Sequence, residues 1–294
     1  MRFLLGMCAL ITIPLWANTQ VTTKIHDIDH GDHIGDEALV FLTSGQVMKV
    51  NVNNTDLLEK LNKSLQKRET IELEVDANRE IQAAQSPEKS LSTETEPEPL
   101  PVPVPLEEPK LLGQDPMAGY SPSVLPEATV KSYFREMRHA SKEETQCFNR
   151  AMIWTYEMRF KHNVYSNKMW IFFTRKYIRK YNFEWWFHVA PMVHMIVDGQ
   201  VKERVIDRKY SSGPLAIQKW GNIFLRDDFK CPTVHKYSDH ANFPEAGSCF
   251  YMKSPMYYYQ PVDLEFLEKY GNVLSTWNET NVRQAYAEAF EIYP

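Results

Sequence analysis

Five prolines at alternate positions, Pro97, Pro99, Pro101, Pro103 and Pro105, constrain this chain more than any other feature. Each holds φ near the polyproline value and lacks a backbone N–H, so the stretch can be neither a helix nor an interior strand. Interspersed glutamates keep it solvated. Residues 86–118 therefore read as an extended linker that a protease can reach. The chain must build its cores on either side, in a small unit over 18–85 and a larger one over 119–294. Six of the seven tryptophans, all but Trp16, lie beyond position 150, which puts the larger apolar core in the second piece.

Charge divides at the same place. Residues 1–118 carry 10 Lys+Arg against 19 Asp+Glu, a net of −9; residues 119–294 carry 23 against 19, a net of +4. An acidic front half can dock on a basic partner within the same chain. The alternative is that an acidic linker merely stays in water.

Met1-Arg2 followed by the apolar run Phe3 to Trp16 reads as a secretory signal, cleaved after Ala17 to leave residues 1–17 behind. Leu5-Gly6-Met7 before Cys8 is a poor lipoprotein box, so the expectation is an exported protein, periplasmic or secreted. No other stretch is apolar enough to span a bilayer, and nothing points to nucleic acid. Three cysteines remain after the signal. An odd number suggests one pair and one free thiol. Cys231 and Cys249 flank a loop-like segment and can pair, leaving Cys147 free; three unpaired buried cysteines are the other possibility.

In the small unit, residues 18–36 read as a polar entry loop. His26, His30 and His33 stand there among Asp27, Asp29, Asp32 and Asp36. Without a cysteine or a helical register the cluster reads as solvated rather than as a metal site. Ala38–Thr43 and Gln46–Val52 are strands around a Ser44-Gly45 turn. A helix capped by Asn54 or Thr55 follows, with Leu57, Leu58, Leu61 and Leu65 on one face, then a strand over Thr70–Val75. This is a ββαβ unit of marginal size.

In the larger unit, helices are expected after Pro126 and from Cys147, a strand over Lys168–Thr174, and a short basic helix or turn over Arg175–Tyr181. Trp185 to Val193 is aromatic and β-branched without a glycine, and reads as a strand. His188 lies within it, in apolar surroundings that would depress its pKa. The Asp198-Gly199 turn pairs it with a second strand, Arg204–Lys209, which holds Asp207. Closing helices are expected over 263–270 and 279–291.

Cys147, His188 and Asp207 occur in the order of a thiol nucleophile, its base and the base's orienting carboxylate. A cysteine at a helix start meets free N–H groups and the positive end of the dipole, which favour a thiolate. Asp207 on the strand beside His188 could orient the ring. The N–H groups near Cys147, with Gln146, could stabilise an oxyanion, and Trp185 and Trp186 could wall the site. Against this, His188 can be a core histidine, Cys147 a small hydrophobe and Asp207 a turn residue.

The blocks Cys147-Phe148-Asn149-Arg150-Ala151, Trp185 to Val193, Val205-Ile206-Asp207, Ser211-Ser212-Gly213-Pro214 and Trp220 resemble the bacterial protein-glutaminase family. The likeness runs from Ser123 to Pro255. It implies an α+β fold with a papain/transglutaminase-like core, a cysteine-bearing helix against an antiparallel sheet, behind the ββαβ unit and linker. It also implies Cys147, His188 and Asp207 as catalytic residues, no cofactor, and protein or peptide substrates bearing glutamine. Synthesis as a zymogen, cut between Pro105 and Tyr120, is implied too. The chain departs in having no cysteine between Cys147 and His188 and in carrying Arg208-Lys209 after Asp207. A cross-linking transglutaminase, a cysteine protease and a secreted binding module are the alternatives.

Overall fold

The structure is a computed structural model and describes residues 18–31, 37–87, 116–139, 146–226, 231–242, 247–271 and 277–290. The signal stretch, most of the linker, and Asp32, His33 and Asp36 of the histidine–aspartate cluster lie outside these. Among the described residues no group of three or more His, Cys, Asp or Glu could hold a metal. No helix there is long and apolar enough to cross a membrane.

The chain forms two compact units, Met1–Val40 with Met48–Glu88, and Phe41–Val47 with Lys89–Pro294. The smaller is a five-stranded sheet in the order β3-β2-β1-β4-β5, with one helix. Its elements are β1 (Thr19–Asp29), β2 (Glu37–Leu42), β3 (Val47–Asn51), α1 (Thr55–Lys67), β4 (Thr70–Val75) and β5 (Ile81–Gln85). Asn54 caps α1 by accepting from Leu57 N, and Leu57 and Leu61 are buried. The entry-loop reading of 18–36 is wrong in its first half. Residues Thr19 to Lys24 pair antiparallel with Val75 to Thr70, at the centre of the sheet. Ile25 and Ile28 are the buried residues that the polar composition concealed.

The larger unit mixes helices with a mainly antiparallel sheet of order β10-β11-β7-β8-β6, and β9 also pairs with β8. Its elements in chain order are β6 (Val124–Pro126), α2 (Glu127–Glu136), α3 (Cys147–His162), β7 (Asn167–Phe173), α4 (Arg175–Tyr181) and β8 (Phe187–Val197). These are followed by β9 (Gln200–Val205), α5 (Ile217–Gly221), β10 (Thr233–Val234), β11 (Cys249–Pro255), α6 (Pro261–Tyr270) and α7 (Glu279–Phe290). Every residue of α3 from Cys147 to Met158 is buried. A helix buried on all sides over three turns sits inside the unit, its polar residues Asn149, Arg150, Thr155 and Glu157 included. Asn163, with φ 55°, ends it in the left-handed conformation.

β7 and β8 are buried along most of their length and pair antiparallel, with His188 opposite Ile171. Asp198 (φ 51°) and Gly199 (φ 73°) both take positive φ, as a two-residue turn between right-twisted strands requires. β9 stops at Val205, so the strand predicted to carry Asp207 ends before reaching it. Cys231 and Cys249 are joined in a disulfide, and Cys147 is free and buried.

Candidate active site

Three elements converge. Cys147 is the first residue of α3 and is 3% exposed; no side chain caps that helix end. His188, near the start of β8, comes within hydrogen-bonding reach of the Cys147 side chain. Its Nε2 lies 2.7 Å from Asp207 Oδ2, so Nδ1 is the nitrogen left for the sulfur.

Asp207 does not stand beside His188 on a paired strand, as the sequence suggested. Ile206 N donates to Pro191 O at 2.9 Å, and the chain then turns. Tyr210 N and Ser211 N both donate to the Asp207 carbonyl, at 3.2 and 2.9 Å, and the Ser211 hydroxyl adds a third bond to it. The turn aims the carboxylate at the imidazole. Trp220 Nε1 donates to Oδ2 at 3.0 Å, and Lys209 N to Oδ1 at 3.3 Å. These donors offset the desolvation of a carboxylate that is 1% exposed.

Burial is the largest influence on both ionisable partners, and in each case it is outweighed. It pushes the imidazolium of His188 down, but the charge and hydrogen bond of Asp207, with Cys147, leave the ring above its ordinary value. The expected depression of His188 by its apolar neighbours is therefore reversed, because the one polar partner is close and equally dry. Burial pushes Asp207 up; His188, Arg150 and Trp220 bring it below the ordinary carboxylate range. Each group thus favours the charged form of the other, and the carboxylate orients the ring.

Aromatic rings enclose the imidazole: Phe224 at 4.4 Å, Tyr210 at 5.2 Å and Trp220 at 5.6 Å between centroids. Arg150, one turn along α3 from Cys147, is 2% exposed, and its guanidinium sits 5.8 Å from the Tyr210 ring centroid. Asn149 accepts from the Tyr259 hydroxyl and donates to Glu288 at 2.5 Å, tying the start of α3 to α7. Lys168 is wholly buried with Nζ 2.5 Å from Tyr258 O. Burial pushes it down to about 7 against the opposing pull of Asp263 and Cys147.

The other residues singled out from sequence separate. Gln146 is the residue before α3, and its side chain is 3.5 Å from the Asn149 amide. Trp186 is 6% exposed and donates Nε1 to Leu42 O at 2.8 Å; it belongs to the core. Trp185, half-buried, bridges to Gln46. Sequence reasoning gave no role to Trp220, Tyr210, Phe224 or Arg150, although blocks containing Trp220 and Arg150 were part of the family resemblance. Only tertiary placement reveals what they touch.

Residues 128–224 match the family model described as glutaminase. No curated protein matches the chain. Among solved structures, the crystal structure of pro-protein-glutaminase is similar at 14% identity and a TM-score of 0.51, over 92% of this chain and 92% of that one. The NMR structure of protein-glutaminase from Chryseobacterium proteolyticum is similar at 16% identity and a TM-score of 0.32, over 57% of this chain and 98% of that one. The likeness to the pro-form is one of fold. Cys147, His188 and Asp207 all fall inside residues 128–224, the part of the chain that matches the glutaminase model.

Proposed function

We propose that the larger unit is an exported protein-glutamine deamidase working through a cysteinyl thioester. The observation that carries this reading is the buried His188–Asp207 pair, 2.7 Å apart, whose ring meets a cysteine at an uncapped helix start. Cys147 Sγ attacks the side-chain amide carbon of a protein-bound glutamine while His188 takes the thiol proton. First-turn N–H groups of α3 receive the developing oxyanion. His188 returns the proton to the departing ammonia. A water then gives its proton to His188 and its oxygen to the acyl carbon, releasing glutamate and the thiol. Asp207 keeps the ring in one tautomer and stabilises its charged form. Trp185 lines the approach. The core is of the papain/transglutaminase kind, and no metal or organic cofactor takes part.

The protein is made as a zymogen in this reading, with residues 18–85 as a pro-domain, 86–118 as the cleavable linker and 119–294 as the enzyme. The turn Phe41–Val47, which packs within the larger unit, supports it. Val47 N donates to Glu184 O at 2.8 Å and Trp186 N to Gly45 O at 2.9 Å, just before the His188 strand. Gly45 has φ +94°, and a Cβ there would come 3.1 Å from the Phe187 ring. The Cys231–Cys249 disulfide fits export to an oxidising compartment.

The test is ammonia release from casein with chain length unchanged, measured before and after proteolysis in the linker. Cys147→Ala should abolish it. Fragmented casein would indicate a protease, covalent oligomers a transglutaminase. Full activity in Cys147→Ala would end the proposal.

A further inference from the structure

The thioester can be taken by water or by a primary amine, and the triad chemistry is the same for both. What must differ is access to the acyl carbon beside His188 Nδ1. Tyr210 stands beside that imidazole. It ends the turn that begins at Asp207, a turn held by the bonds of Tyr210 N, Ser211 N and the Ser211 hydroxyl to the Asp207 carbonyl. Its ring meets the imidazole edge-on at 5.2 Å and the Phe224 ring at 5.1 Å. The Arg150 guanidinium, on the helix of the nucleophile, lies 5.8 Å from the same ring. The ring is thus clamped between a cation of the cysteine helix and an aromatic neighbour of the base. It is nevertheless 41% exposed, whereas Trp220 beside it is fully buried. Burial is the largest influence on its hydroxyl and pushes it up.

We propose that Tyr210, braced by Arg150 and Phe224, is a specificity-determining residue that screens the acyl-enzyme from amines and so commits it to hydrolysis. The inference rests on the deamidase reading. In the acylation step the Sγ–C bond forms, the C–N bond breaks, and ammonia leaves with the proton held by His188. In the second step the acceptor gives a proton to His188 as its oxygen or nitrogen bonds to the acyl carbon and the C–S bond breaks. Water passes a rim that a primary amine on an alkyl stem does not, because the stem needs the volume of the phenol ring.

The experiment measures the two fates of one acyl-enzyme: glutamate formed on casein, and a fluorescent alkylamine joined to casein at fixed amine concentration. With the linker cut, wild-type protein should form glutamate with little amine product. Tyr210→Ala should raise the ratio of amine product to glutamate by about tenfold or more; Tyr210→Phe, which keeps the ring, should leave it at the wild-type value. Tyr210→Leu serves as a second, bulkier replacement and should give an intermediate ratio. A ratio unchanged in both Tyr210→Ala and Tyr210→Leu overturns the inference even if total turnover falls, since a ring that merely supports His188 would slow both products together. Wild-type protein with neither product would instead sink the deamidase reading itself.

Discussion

Replacing Trp220 by Phe removes one hydrogen bond from the triad and leaves most of the packing. Trp220 is fully buried, and its Nε1–H reaches Asp207 Oδ2 at 3.0 Å, the same oxygen that His188 engages at 2.7 Å. Phenylalanine keeps an aromatic ring near the imidazole and Phe224 but has nothing to donate. A hydrogen bond to a buried charged group is worth about 1.5–3 kcal/mol. At about 1.4 kcal/mol per pKa unit, its loss should raise the pKa of Asp207 by about one to two units. The carboxylate must be ionised to orient and charge the ring. The acid limb of kcat/KM for ammonia release should therefore move to higher pH by about one to two units, with a smaller loss on the plateau. The assay is initial-rate ammonia release across the acid limb, on protein whose fold is checked by circular dichroism and a denaturant curve. If Trp220→Phe folds and its limb moves by less than about 0.3 units, the indole contributes nothing to the carboxylate. The Asp207 carboxylate would then owe its lowered pKa to His188 and Arg150 without the indole.

Three further outcomes follow from the same geometry. The Cys231–Cys249 bridge closes a separation of 18 residues. By loop entropy, Cys231→Ala with Cys249→Ala should cost about 3 kcal/mol and lower Tm by about 6–12 °C, and a loss under about 1 kcal/mol in guanidinium would contradict it. At Gly221 a Cβ would fall 1.8 Å from the Tyr251 hydroxyl and 2.9 Å from Cζ. Gly221→Ala should destabilise by about 1–3 kcal/mol, and Tyr251→Phe, which removes a buried hydroxyl without a hydrogen-bond partner among the described residues, should restore much of that. The third concerns pH. His188 is raised in the folded state, so its contribution is fully present below the unfolded imidazole pKa and is lost as pH rises through the folded value. Asp207 is lowered, so its contribution is present above the unfolded carboxylate pKa and is lost as pH falls through the folded one. The stability gap between wild type and Asp207→Asn should therefore be greatest between the ordinary carboxylate and imidazole ranges; a gap that is flat with pH would refute the pairing.

Much of this protein was legible in the residues because the signals are local. Positive φ at Asp198-Gly199, the leucine face of α1, the aromatic and β-branched run into β8 and the apolar surround of α3 each follow from neighbours in sequence. Periodicity is a property of a short window. Where such a window was mixed, the reading failed: β1 carries histidines and aspartates along an edge of its pattern, and only pairing with β4 shows that it is central.

The order Cys147, His188, Asp207 suggested a chemistry but did not say how the groups meet. A cross-strand placement was expected for Asp207; instead β9 ends at Val205, and a hydrogen-bonded turn swings the carboxylate back to the ring. Tyr210 comes from that turn, Trp220 from a helix after it, and Arg150 from the helix before β7. By itself the sequence determined those helices, strands and turns whose pattern is clear within a short window, since these depend on residues a few positions apart. The tertiary structure alone decided that Asp207 is buried beside His188 and that an exposed phenol stands next to the same imidazole. Distance, burial and charge at one point depend on how remote segments close on each other, which no local pattern encodes.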